Sequence, residues 1–161
     1  VKGLNQFSRV NSDYDEDCDI AEILNNCLLI LQNKTKHRIS VSKDIHSEKL
    51  MVKGNAGKLH QVFINILDNA IQAIQDQGEI SVTSSKKNGS IQVEISDTGE
   101  GIPEKNLKQV TTPFFTTKPP GQGTGLGLSL SYSIIKEHKG VLDISSRPNE
   151  GTKVKISIPA L

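Results

Sequence analysis

The sequence predicts an α+β fold, a two-layer α/β sandwich in which one mixed, mostly antiparallel sheet carries helices on a single face. Segments of helical period and segments of alternating period fall into separate groups along the chain, which argues against a doubly wound parallel sheet. Asn88-Gly89 between two alternating runs marks a hairpin, and Asn149-Glu150-Gly151 marks another, so neighbouring strands are expected to run antiparallel. The stretch from Asp97 to Leu128 has little periodicity and is bracketed by glycines. A long loop of that kind inside a compact domain is usually functional.

In order along the chain, Leu4, Phe7 and Val10 form a helical stripe too short to be stable alone, and it reads as the end of a longer helix. Asn11 to Asp17 is polar and acidic and is expected to be a linker. Asp19-Ile-Ala-Glu22 has the form of a capping box, and Ile20, Ile23, Leu24, Cys27, Leu28 and Leu31 keep helical period for about four turns. Ile39, Val41, Lys43 and Ile45 alternate, as do Leu50 and Val52, so two strands are expected on either side of a polar turn near Ser47 and Glu48. Asn55 can cap a second helix whose apolar face is Leu59, Val62, Phe63, Ile66, Ala70, Ala73 and Ile74, ending before Gly78. Ile80 to Thr83 and Ile91 to Ile95 make the first hairpin. Leu126 to His138 is helical and stops at Gly140; Val141 to Ser145 and Lys153 to Ile158 make the last hairpin.

Composition narrows the function. The 161 residues are 35% hydrophobic and 23% charged, enough for one well-buried core. A net charge of +1 supplies no general field for nucleic acid or an anionic membrane, and 4% aromatic residues leave few stacking platforms. No nucleic-acid partner is therefore expected. No apolar run approaches the ~18 residues of a membrane span, so direct membrane insertion of this segment is not expected. Cys18 and Cys27 match no metal spacing and read as reduced thiols in a cytoplasmic setting, Cys27 with a core role on the first helix.

The long loop points to a nucleotide. Glycines near Gly123-Thr-Gly-Leu-Gly127, just ahead of a helix, leave backbone N–H groups free to cradle phosphate, and Asp97 at the other end can accept a hydrogen bond from an exocyclic amine. The pattern is neither a GxxxxGK[ST] loop nor a dinucleotide fingerprint after a first strand. A flexible glycine-rich lid is the alternative. On the second helix Asn65 and Asn69 lie four apart on one face, with Gln72 about a turn further on, where they are either solvent-facing or amide ligands for a hard cation such as Mg²⁺. Lys118, after Phe114 and Phe115, is either solvated or a phosphate contact.

These residues resemble a known family. Gln61 to Ala70 resembles the N box, Asp97-Thr-Gly-Glu-Gly101 the first glycine box, Pro113-Phe-Phe-Thr-Thr-Lys118 the F box, and Gly121 to Leu128 the second glycine box of bacterial sensor histidine kinases, in the right order and covering about half the chain. The wording PFFTTK and NAIQAI is similar to the nitrogen-regulation-type subgroup. The resemblance implies the Bergerat ATP-binding sandwich, ATP and Mg²⁺ as cofactors, and transfer of the γ-phosphoryl to a histidine. It implies a catalytic role for Asn65, Asn69 and Lys118, with Asn69 and Asn65 as metal ligands. The implied ATP-binding residues are Asn65, Asn69, Gln72, Ala73, Asp97, Gly99, Gly101, Ile102, Phe115, Thr116, Thr117, Lys118, Gly121, Gly123, Thr124, Gly125, Leu126, Gly127 and Leu128, with the intervening loop as a lid.

Many members of the wider superfamily place a glutamate four residues before the metal asparagine, where this chain has Asn65. Without a carboxylate there, water or a serine hydroxyl lacks an obvious base, whereas imidazole is itself a nucleophile. The family's acceptor histidine is typically followed by Glu or Asp in a helix of a dimerisation domain, and no helix of that kind is expected here. The expected division is therefore residues 1–18, the end of a dimerisation-domain helix and its linker, and residues 19–161, a catalytic ATP-binding domain of a longer kinase. The implied partners are the histidine-bearing dimerisation domain and the receiver domain of a response regulator. The alternative is an ATP-binding regulatory module without kinase activity.

Overall fold

A computed structural model describes residues 14–45, 49–107 and 127–161. Five strands form the main sheet in the order β2 (Ile39–Ile45), β4 (Gly78–Lys87), β5 (Ser90–Asp97), β7 (Thr152–Pro159) and β6 (Val141–Ser146). The β2–β4 pair is parallel and the other pairs are antiparallel, so the sheet is mixed and mostly antiparallel. Asn88-Gly89 turns β4 into β5, and the Asn149 to Gly151 turn joins β6 to β7, as the sequence signals require. The central strand is β5.

Alternation decides which face is buried. Ile91, Val93 and Ile95 of β5 line up with Ile158, Ile156 and Val154 of β7, and all six are core residues; Gln92 and Glu94 point to the opposite, open face. Against the apolar face lie α1 (Ile20–Ile30), α3 (Ala56–Ala73) and α5 (Gly127–Glu137), with α3 packed between the other two. The central helix α3 buries Leu59, Val62, Phe63, Ile66, Leu67, Ala70 and Ile71, a stripe at helical period. Its N-terminus is capped by the Asn55 side chain, which accepts from Lys58 N–H at 3.0 Å. Its C-terminal carbonyls are taken by Arg38, whose guanidinium donates to Ile74 O at 2.6 Å and Ile71 O at 3.2 Å.

Two elements differ from expectation. The acidic stretch expected to be linker through Asp17 enters the fold earlier, because β1 (Glu16–Asp19) pairs antiparallel with β3 (Met51–Gly54) and buries Cys18. The first helix ends at Ile30, about three turns, and a short α2 (Gln32–Thr35) follows; Asp19 accepts from Ala21 N–H and Glu22 N–H at its start. Both thiols are core groups, and burial pushes each up to about 11. Among the described residues no helix is long and apolar enough to cross a membrane. The stripe expected over residues 1–10 and the turn near Ser47 and Glu48 lie outside the described residues.

Candidate nucleotide-binding site

The site is built where the apolar face of the sheet ends. Asp97 has the same parity as Ile91, Val93 and Ile95, so its carboxylate continues the buried row of β5 toward the helices. Its cross-strand partner on β7 is Thr152, and the partner of Thr152 on β6 is Ser146. A polar row Asp97–Thr152–Ser146 therefore succeeds the apolar row Ile95–Val154–Ile144.

Backbone donors fix the carboxylate. Asp97 Oδ1 accepts from Gly99 N–H at 2.8 Å, and the Thr152 backbone also donates to it. Burial pushes the Asp97 carboxyl above its ordinary value, while these two donors pull it back. A desolvated acceptor held in this way fits an amine donor on a ligand.

The segment after Asp97 is held by its neighbours. Glu100 N–H donates to Ala73 O at 3.0 Å, which ties the loop to the last turn of α3. A Cβ at Gly99 would sit 2.5 Å from that same carbonyl oxygen, so only glycine allows the approach. Gly101 has φ +73°, and a Cβ there would collide with the carbonyl of Arg147. From the other side Asn149 N–H donates to Glu100 O at 2.7 Å, and Ile102 N–H donates to Ser146 Oγ at 2.7 Å. The turn between β6 and β7 thus clamps the glycine-containing loop. After it comes a short α4 (Glu104–Leu107).

Asn65, Asn69 and Ala73 form one row along α3, spaced at four residues, with both asparagines half-buried. The row ends at the Gly99–Glu100 loop. Helix α5 runs antiparallel beside α3, since His138 after its last turn accepts Asn55 N–H at 3.0 Å and Glu137 lies 3.5 Å from Lys58. Equal rise per residue then brings Gly127 level with about Ile66 to Asp68, between Asn65 and Asn69. The start of α5 and the amide row accordingly stand side by side, in the relation a phosphate chain requires.

Of the expected residues, Asn65, Asn69, Ala73, Asp97, Gly99, Gly101 and Ile102 are brought to one region, and Gly127 opens α5. Leu128 packs against the core. Gln72 is turned aside: its amide donates to Asp68 Oδ2 at 2.9 Å, and Asp68 also takes Lys34 at 3.0 Å from α2. Phe115, Thr116, Thr117, Lys118, Gly121, Gly123, Thr124, Gly125 and Leu126 lie outside the described residues, as does most of the expected lid. Thr152 and Ser146 were missed, although the Gly151-Thr152 turn ending was visible in the sequence.

The donor set fits a metal held jointly with a ligand. Among the described residues no group of three or more His, Cys, Asp or Glu side chains could hold an ion. Two amides alone are a weak site, so a hard cation here needs phosphate oxygens to complete its shell. The depression on the open face, lined by Thr83, Gln92, Glu94, Asp143 and Lys155, lies on the opposite side of the sheet.

Residues 54–161 match the family described as histidine kinase-, DNA gyrase B-, and HSP90-like ATPase. The chain is 39% identical over 121 residues to sporulation kinase A of Bacillus subtilis (strain 168), which covers 75% of this chain and 20% of that protein. The catalytic domain of histidine kinase ThkA superposes with a TM-score of 0.80 at 32% identity, covering 90% of this chain and 95% of that one. ThkA in complex with the response regulator protein TrrA aligns with a TM-score of 0.77 at 28% identity, over 91% of this chain and 42% of that one. The chain spans between a fifth and a third of the curated relatives it matches first.

Proposed function

The chain belongs to the histidine kinase-, DNA gyrase B- and HSP90-like ATPase family, and we propose that it positions Mg-ATP for transfer of the γ-phosphoryl to a histidine on a separate dimerisation domain of the same kinase. The observation that carries this reading is the amide row Asn65–Asn69–Ala73, which runs without a carboxylate into the loop held by Asp97. Asp68, one turn before Gln72, is occupied by Lys34 and Gln72 and offers no base to the row. An acceptor must then bring its own nucleophile, as imidazole does.

In this mechanism Asp97 accepts from the adenine amine, and the backbone donors of Gly99 and Thr152 hold its oxygens in place. Ala73 O fixes the loop through Glu100 and shapes the wall of the base end. Asn69 and Asn65 would hold Mg²⁺, which when bound neutralises charge on the phosphates. Gly127 and the residues before it, with Lys118, supply phosphate donors in the reading taken from the sequence. Phosphoryl transfer needs position and charge stabilisation more than covalent help from the protein. The histidine-bearing domain is reached through the segment before Tyr14, and a receiver domain of a response regulator takes the phosphoryl onward, as a partner of the kind ThkA has.

The test supplies γ-labelled ATP to the chain alone and then with the histidine-bearing domain of its kinase. Acid-labile label confined to the added domain, and lost with Asn69→Ala, is expected. Acid-stable label on the chain itself would overturn the proposal, and nucleotide binding with no transfer to any histidine domain would favour a regulatory module.

A further inference from the structure

Ser146 makes three hydrogen bonds at the base end. Its Oγ lies 2.7 Å from Ile102 N, 2.9 Å from Gly151 O and 2.8 Å from Thr152 Oγ1. A hydroxyl has one proton and two lone pairs. Ile102 N–H can only donate and Gly151 O can only accept, so the Ser146 proton goes to Gly151, and Ser146 accepts from both Ile102 N–H and the Thr152 hydroxyl. All three positions of Ser146 are filled. Each bond fixes a segment that carries a donor to Asp97: Ile102 ends the loop that begins with the Gly99 donor, and Gly151 and Thr152 share the peptide that carries the second donor.

We propose that Ser146 is a positioning residue for base recognition, setting the two backbone donors on Asp97 and through them the direction in which that carboxylate accepts. This rests on the reading of the cleft as a nucleotide site. Glu100 to Ala73 and Asn149 to Glu100 are backbone-to-backbone ties, and Thr98 is tied to Glu79, so removing the Ser146 hydroxyl leaves these ties of the loop in place. Without it Ile102 N–H and Gly151 O lose their partner, so the end of the loop and the Gly151–Thr152 peptide are no longer joined through Ser146, while Asn149 still holds Glu100. The phosphate end, on α3 and α5, is untouched.

The experiment compares ATP with purine riboside triphosphate, which lacks the exocyclic amine, by calorimetry on the intact chain and on Ser146→Ala and Ser146→Thr. The unsubstituted chain should prefer ATP by about tenfold or more, the value of a charge-assisted hydrogen bond. In Ser146→Ala the affinity for ATP should fall by about tenfold while that for the amine-free analogue changes little, so the preference collapses; Ser146→Thr, which keeps the hydroxyl, should restore it. A merely structural role would lower both affinities alike, and that result, or an unchanged preference, would overturn the inference while leaving the nucleotide site standing. Failure of the unsubstituted chain to bind either triphosphate would instead remove the nucleotide reading. Amide exchange in the unsubstituted chain gives a check independent of any variant's folding: Ile102 N–H should be protected, and exchange at the rate of an open amide would contradict the bond on which the inference stands.

Discussion

Asp97 and Thr152 face one another at the last paired position of β5 and β7, and both continue rows that are otherwise apolar and buried. The sheet therefore ends its core face with a carboxylate, against the usual cost of burying charge. The cost is visible as a carboxyl pushed above its ordinary value. A desolvated carboxylate steadied by two backbone donors is the acceptor that the proposed adenine contact calls for.

The metal contribution should reside in α3. Replacing Asn69 by Ala removes an oxygen ligand and leaves the base end intact, so Mg²⁺ should no longer tighten ATP binding while metal-free ATP affinity changes little. Calorimetry with and without Mg²⁺ measures this. A Mg²⁺ effect of full size in Asn69→Ala would move the ion elsewhere.

Acid should weaken the fold through His138. Its ring is buried and neutral, with Nδ1 donating to Ile134 O at 2.8 Å and Nε2 accepting from Asn55 N–H at 3.0 Å. Burial lowers its pKa below 6.5; Glu137 opposes that shift and Lys58 adds to it, and Tyr14 packs edge-on against the ring. The unfolded ring takes up a proton first as pH falls, so this contribution is complete above 6.5 and is lost as pH drops through the lower folded value. Asp97 acts with the opposite sign, since its raised pKa favours the folded state at low pH and loses that effect as pH rises through the raised value. Chemical denaturation below pH 6.5 should show falling stability that flattens in His138→Gln. An equal slope in the variant would refute the assignment.

The helices should divide sharply between core and surface. Phe63 is fully buried in α3, and Phe63→Ala should cost about 3–5 kcal/mol. Leu29 and Ile30 on α1 are 69% and 65% exposed, so Leu29→Ala and Ile30→Ala should each change stability by no more than about 0.5 kcal/mol. Denaturant midpoints decide it, and a large loss at Leu29 would show that the helix packs differently.

Much of this arrangement was legible in the residues. Alternation through Ile91, Val93 and Ile95 puts Asp97 on the helix face, Asn55 caps α3 as expected, and the spacing of Asn65, Asn69 and Ala73 fixes a shared face. What was not legible depends on partners distant in sequence. The parts played by Ser146 and Thr152 follow from the register of β6, β7 and β5, which local pattern does not set. Glu16 to Asp19 is too short and acidic to read as a strand until Met51 to Gly54 lies beside it. Gln72 shares the general side of the helix with the amide row, but Asp68 and Lys34 capture its side chain.

Calorimetry of ATP binding to Asp97→Asn tests most directly whether the carboxylate ending the middle strand reads adenine. The variant keeps the size of the side chain and removes the charge that strengthens the hydrogen bond, so ATP affinity should fall about ten- to hundredfold, and GTP, whose O6 cannot donate, should bind poorly to the unsubstituted chain. ATP affinity unchanged in Asp97→Asn, or GTP binding as tightly as ATP to the unsubstituted chain, would contradict the account.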